Sequence, residues 1–189
     1  MVASPQQKYI TPEEYLQLEF QSDVKHEYID GYAYAMAGAN DGHVTVSLNL
    51  ATLLRSHVRG SGCRVFISDM KARIEKLNRY YYPDVMVTCD QRDRENTTEK
   101  KFPCLIVEVL SDSTEAFDRG DKFADYQLLE PLQEYVLINV KRQRIECFRR
   151  NNEGLWLLQF YTSEQKSFQL QSINFEVEMS ALYEDVVFE

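Results

Sequence analysis

Phe102-Pro103-Cys104-Leu105-Ile106-Val107-Glu108-Val109-Leu110 is an almost continuously apolar run, as expected of a central strand buried on both faces. Glu108 is its one charge, and a lone acid is rarely buried in such a strand. Upstream, Tyr80-Tyr81-Tyr82-Pro83-Asp84-Val85-Met86-Val87 carries a single acid of its own, Asp84. If the two runs pair as neighbours, the carboxylates fall within about 5 Å of each other. Two acids so close repel, and a bound divalent cation relieves the repulsion. The plainer alternative has Asp84 capping a turn after Pro83 and Glu108 paired with an arginine across the sheet.

The flanking sequence supplies the elements such a strand needs. Thr11 followed three residues later by Glu14, with Pro12 at the first helical position, predicts a capped helix from about Pro12 to Phe20. His26 to Met36 reads as two strands joined at Asp30-Gly31, a dipeptide suited to the positive φ of a tight hairpin. Val44, Ala51, Leu54 and Val58, flanked by Leu48 and Leu50, fall on one side of a helix from His43 to Val58. Gly60-Ser61-Gly62 ends it, and Cys63 to Ile67, Lys71 to Lys76 and Tyr80 to Cys89 read as successive strands. A charged loop, Asp90 to Lys101, precedes the central strand. Beyond it a helix from about Phe117 to Leu129 stops before Pro131. Strands follow at Glu134 to Val140, Ile145 to Arg150, Leu155 to Tyr161 and Ser167 to Leu170, and a short helix near Met179 to Tyr183 closes the chain. The expected fold is α/β, a mixed central sheet flanked by helices with a C-terminal β-rich extension, in one domain over residues 1–189.

Composition narrows the class. With 44% hydrophobic and 27% charged residues, the 189-residue chain has the balance of a soluble globular protein and enough length for a substantial core. No apolar run approaches bilayer length, and the polar start from Met1 to Gln7 lacks the apolar core of a signal peptide, so a cytoplasmic location and no membrane partner are expected. Four scattered cysteines, Cys63, Cys89, Cys104 and Cys147, form no CxxC pair and point to buried reduced thiols rather than disulfides or zinc. The net charge of −9, from 21 Lys+Arg against 30 Asp+Glu, argues against strong nucleic-acid binding. Any such binding would be weak and salt-sensitive, resting on a local basic strip. No Gly-x-Ser-x-Gly elbow, phosphate loop or dinucleotide fingerprint occurs. His43 and His57 would share a helix at a separation of roughly 21 Å, too far for a common metal. His26 or His43 is a candidate to contact a phosphate or to hold Glu27, with capping or packing as the alternative for each.

Thr11-Pro12-Glu13-Glu14-Tyr15, His26-Glu27-Tyr28-Ile29-Asp30-Gly31, His43 with Asn49-Leu50, Pro83-Asp84-Val85 and Val107-Glu108-Val109-Leu110-Ser111 occur in this order along the chain. Ser113-Thr114, Asp118, Lys122, Tyr126 and Glu134-Tyr135 follow. In these segments the sequence resembles the Uma-two group of putative restriction endonucleases, within the PD-(D/E)XK nuclease superfamily.

That resemblance implies a restriction-endonuclease-like core and a Mg²⁺-dependent nuclease acting on DNA, with Mn²⁺ as a substitute. It implies that Asp84 and Glu108 bind the metal, that the backbone carbonyl of Val109 completes the shell, and that Glu27 supplies a third carboxylate, the alternative for Glu27 being to pin the Asp30-Gly31 hairpin. The sequence departs from the superfamily pattern where a lysine is expected two residues after the second acid, since Leu110 stands there. The resemblance offers Lys122, in the following helix, as the displaced lysine, whose ammonium would orient the attacking water and stabilise charge on the phosphate. Against this, Asp118 and Asp125 flank Lys122 at helical spacing, and an exposed ion-pair cluster accounts for all three. Cutting both strands of a duplex favours two active sites and hence a homodimer, through the β-rich C-terminal half. The competing readings are an inactive binding module that keeps the fold, favoured by the charge and by Leu110, and a metal-dependent hydrolase of a small phosphate ester.

Overall fold

The computed structural model describes residues 8–188, so Met1 to Gln7, where the absence of a signal peptide was read, lies outside the described residues. Helix α1 spans Pro12–Gln21 and opens on the expected capping box: the Thr11 N–H donates to Glu14 Oε2 at 2.7 Å, and the Glu14 N–H donates to Thr11 Oγ1 at 3.2 Å. Strands β1 (His26–Ile29) and β2 (Tyr32–Ala35) form the hairpin. Asp30 and Gly31 both take positive φ, 50° and 89°, and a Cβ at Gly31 would collide with the Tyr9 ring.

Helix α2 runs Asp41–His57, capped by the Asn40 side chain. Then come β3 (Arg64–Ile67), β4 (Lys71–Ile74), β5 (Arg79–Tyr81), β6 (Val85–Thr88), β7 (Glu99–Lys100) and β8 (Pro103–Val109). Two short helices follow, α3 (Glu115–Arg119) and α4 (Asp121–Tyr126). The chain ends with β9 (Glu134–Asn139), β10 (Arg144–Arg150), β11 (Trp156–Tyr161), β12 (Ser167–Leu170), β13 (Phe175–Glu178) and α5 (Met179–Leu182).

The main sheet has the order β11-β10-β9-β8-β6-β3 and is mixed: β8 and β9 run parallel, and the other pairs are antiparallel. All seven residues of β8 are buried, as its composition requires of a strand in the middle of the sheet. Alternation assigns its side chains to two layers. Leu105, Val107 and Val109 join Val46, Leu50 and Leu54 of α2 and Leu182 of α5 in one core. Ile106 and Leu110 face the other way, with Phe123 and Tyr126 of α4 and Tyr81. A second sheet, β2-β1-β5-β4-β7, carries a tyrosine cluster of Tyr15, Tyr28 and Tyr80 under α1.

Four expectations are corrected. Tyr80 to Cys89 is two strands in two sheets, because Pro83 cannot donate to a ladder and the chain crosses between sheets at Tyr82-Pro83-Asp84. The helix expected at Phe117 to Leu129 breaks at Gly120, where a Cβ would stand 3.2 Å from the Ala116 carbonyl oxygen. The C-terminal half is β-rich as expected, with β10 and β11 continuing the main sheet, but it holds one strand more than expected, β13, which pairs with β12. Finally, Cys63 and Cys89 form a disulfide, whereas Cys104 and Cys147 are free and buried as expected. β3 pairs with β6 so that Arg64 opposes Thr88, and Cys63 and Cys89 follow as the next opposed pair. Sheet register, invisible in the cysteine spacing, makes that bond. No helix among the described residues is long and apolar enough to cross a membrane.

Candidate active site

Register alone places Asp84 beside Glu108. β6 and β8 are antiparallel with Val85 opposite Val107, so Asp84, one residue before β6, lies across from Glu108. By parity Asp84 shares a face with Met86, and Glu108 with Ile106, the face covered by α4. The contact is direct: the Asp84 N–H donates to Glu108 Oε2 at 3.3 Å, and the Val109 N–H donates to Asp84 Oδ2 at 2.7 Å. Val109 thus touches the cluster through its N–H.

Lys122 closes the site from above. It is the second residue of α4, the short helix that follows the break at Gly120, and it is buried with Phe123, Asp125 and Tyr126 of the same helix. Lys122 Nζ lies 2.9 Å from Glu108 Oε1, 3.0 Å from Glu27 Oε1 and 3.5 Å from Asp118 Oδ1. The exposed ion-pair cluster is therefore not what forms: Lys122 is 5% exposed, and Asp125 turns away to Arg79 and Tyr81. Glu27, from β1, accepts from the Tyr82 N–H at 3.4 Å as well as meeting Lys122. All five residues singled out in the sequence, Glu27, Asp84, Glu108, Val109 and Lys122, converge on one cluster.

Two further side chains complete it. His43, in the first turn of α2, places Nε2 2.9 Å from Asp84 Oδ1, and its Nδ1 is buried without a hydrogen-bond partner among the described residues. The Tyr126 hydroxyl donates to Glu108 Oε1 at 3.0 Å. Tyr126 had no assigned role in the sequence, although its place one turn after Lys122 put both on one helix face. His26 holds Glu19 at 2.8 Å rather than Glu27.

Burial sets the electrostatics. It pushes the Glu108 carboxyl well above its ordinary pKa; the Lys122 charge opposes this, and the Asp118 and Asp84 charges reinforce it. Burial opposes charge on Lys122 too, but the carboxylates of Glu108 and Glu27 outweigh it and raise the lysine well above its usual value. A protonated lysine is thus held among acids in a nearly dry site, where each interaction is less screened than in water. Removing it would leave buried carboxylates uncompensated. Among the described residues no group of three or more His, Cys, Asp and Glu side chains is arranged to hold a metal ion.

A family model described as "Putative restriction endonuclease", Uma2, matches residues 12–181. The chain belongs to the Uma2 family. The match contains Glu27, His43, Asp84, Glu108, Lys122 and Tyr126, so the whole cluster lies within the segment the family defines. The uncharacterized protein slr1290 of Synechocystis sp. is 41% identical over 179 residues, covering 95% of this chain and 94% of its own. The uncharacterized protein sll1609 of the same organism is 37% identical over 153 residues, 80% of this chain and 86% of its own. The crystal structure of a "putative nuclease belonging to DUF820" from Anabaena variabilis matches with a TM-score of 0.76 at 16% identity, covering 92% of this chain and 97% of that one. At that identity the likeness establishes the fold, and the fold of this Uma2 chain is nuclease-like.

Proposed function

We propose that the chain is a metal-dependent endonuclease that hydrolyses phosphodiester bonds in DNA. The observation that carries this reading is the juxtaposition of Asp84 and Glu108 on adjacent chain segments with the Lys122 ammonium 2.9 Å from Glu108. Family membership and the nuclease-like fold supply the reaction class.

The donor set fits a hard divalent cation of the Mg²⁺ type, which takes one or two carboxylates and fills its remaining positions with water and substrate oxygens. Asp84 and Glu108 would hold it, with the Val109 carbonyl completing the shell; Glu27, which here meets Lys122, would join as a third carboxylate only on rearranging. Mg²⁺, or Mn²⁺ in its place, supplies Lewis-acid polarisation of the phosphodiester and a water made nucleophilic at neutral pH.

The chain's own groups do the rest. The Val109 N–H and His43 fix the two Asp84 oxygens, so this carboxylate presents one orientation. Tyr126 and Lys122 fix Glu108 in the same way. Lys122, kept protonated by its acidic neighbours, places a positive charge where the phosphate develops negative charge, in an environment that screens it weakly. In this way Lys122 takes the role of the lysine that Leu110 displaces.

An exposed apolar edge supports the homodimer that double-strand cleavage favours. β11 is the last strand of the main sheet, and Leu155, Leu157, Leu158 and Phe160 on and beside it are exposed. A cytoplasmic location accords with DNA as substrate. The test is hydrolysis of supercoiled plasmid with p-nitrophenyl phosphate assayed beside it. Plasmid cleavage without turnover of the small ester supports the reading, and the reverse assigns the site to small phosphate esters.

A further inference from the structure

Cys63, Cys89 and Cys104 gather at the end of β6 opposite Asp84, roughly 16 Å away along the strand. Cys63 and Cys89 are disulfide-bonded, and Cys104 Sγ lies 3.8 Å from Cys89 Sγ. Cys89 is exposed and Cys63 half-buried, so the crosslink lies at the surface of the fold. Beside Cys63 is a pocket of about 340 Å³ lined by Arg55, Arg59 and Arg64. All three arginines are exposed, and none makes an ion pair among the described residues. In a chain of net charge −9 this is an unneutralised basic surface around a disulfide.

We propose that Cys63–Cys89 is a thiol–disulfide exchange site for an anionic low-molecular-weight thiol, whose carboxylates dock on Arg55, Arg59 and Arg64. Guanidinium forks match carboxylates in geometry as well as charge, which selects an acidic thiol over a neutral or cationic one. The thiolate attacks Sγ of Cys63, the cysteine of the pair that lines the pocket. A sulfur–sulfur bond forms between the small thiol and Cys63 as the Cys63–Cys89 bond breaks. The electron pair leaves on Cys89 Sγ, which then takes a proton from solvent. One thiol is consumed, one mixed disulfide is formed, and no outside oxidant is required.

Cys104 stays a thiol beside the leaving Cys89 sulfur: burial pushes it up to about 11, and its S–H donates to the Val87 carbonyl at 3.4 Å. This site is independent of the roles given to Asp84 and Glu108.

The experiment uses the full chain purified without reductant, treated with glutathione or with cationic cysteamine at equal thiolate concentration, and followed by intact mass and peptide mapping. The expected result is an adduct at Cys63 that forms about tenfold faster with glutathione, the size of bias that a few exposed charge pairs provide. The Arg55→Gln, Arg59→Gln double variant, which removes no ion pair, should bring the two rates together. A chain without the Cys63–Cys89 bond, an adduct at Cys89, or a glutathione preference unchanged in the double variant would overturn the proposal.

Discussion

Lys122 Nζ lies 2.9 Å from Glu108 Oε1, although one residue sits on a helix and the other in the central strand beneath it. This contact lets a chain without a lysine two positions after its second acid keep a cation in the site. Lys122→Met should therefore lower nicking at least a hundredfold, the scale expected when a charge-stabilising group is lost. Because Glu27, Glu108 and Asp118 lose their common partner, stability should also fall by about 3–5 kcal/mol in urea unfolding. A variant as stable and active as wild type would show that the ammonium has neither role.

Under the proposed nuclease reading, His43 is a positioning residue acting through Asp84. His43→Ala frees Asp84 Oδ1 while leaving the Val109 N–H on Oδ2. Loss of an outer partner to a ligand costs about 10- to 100-fold in metal affinity. Calorimetric Mn²⁺ titration should show that loss, and nicking at saturating Mn²⁺ should recover in part. Unchanged Mn²⁺ affinity would remove His43 from the site.

The Cys63–Cys89 bond closes a loop between positions 26 apart in the sequence. Replacing both cysteines by serine should reduce stability by about 2–4 kcal/mol, the usual gain from a crosslink of this span. Nicking at a temperature where the variant stays folded should be unaffected, since Asp84 lies at the other end of β6.

Leu157 and Phe160 are 58% and 44% exposed on the edge strand β11. Charges on an edge block pairing with a second chain. Leu157→Glu with Phe160→Lys should convert a dimer in light scattering to a monomer, and a wild-type chain that is already monomeric at micromolar concentration would contradict the dimer.

Much of this arrangement is legible in the amino-acid sequence. The capping box at Thr11, the Asp30-Gly31 hairpin and the buried strand around Glu108 each carry a strong local signal, and local signals survive folding. Asp84 and Glu108 stood out because an acid in an apolar run is costly without a partner. What stayed hidden depends on partners distant in sequence. Asp118, Lys122 and Asp125 have the spacing of an exposed charged face, but all three are buried, with Lys122 on Glu27 and Glu108 and Asp125 on Arg79, partners distant in sequence. The opposition of Cys63 and Cys89 is a matter of β3–β6 register, which no spacing reveals. His43 meets Asp84 across a gap of 41 residues, and nothing local to either announces the contact.

The most direct test of the central claim is nicking of supercoiled plasmid at low salt with Mg²⁺ or Mn²⁺, comparing wild type with Asp84→Asn. Asparagine keeps an acceptor for the Val109 N–H, so the fold should stand while the charge is lost. The account predicts metal-dependent nicking by wild type and none by the variant. Nicking undiminished in a pure, folded Asp84→Asn sample, or none by folded wild type with either metal, would contradict it.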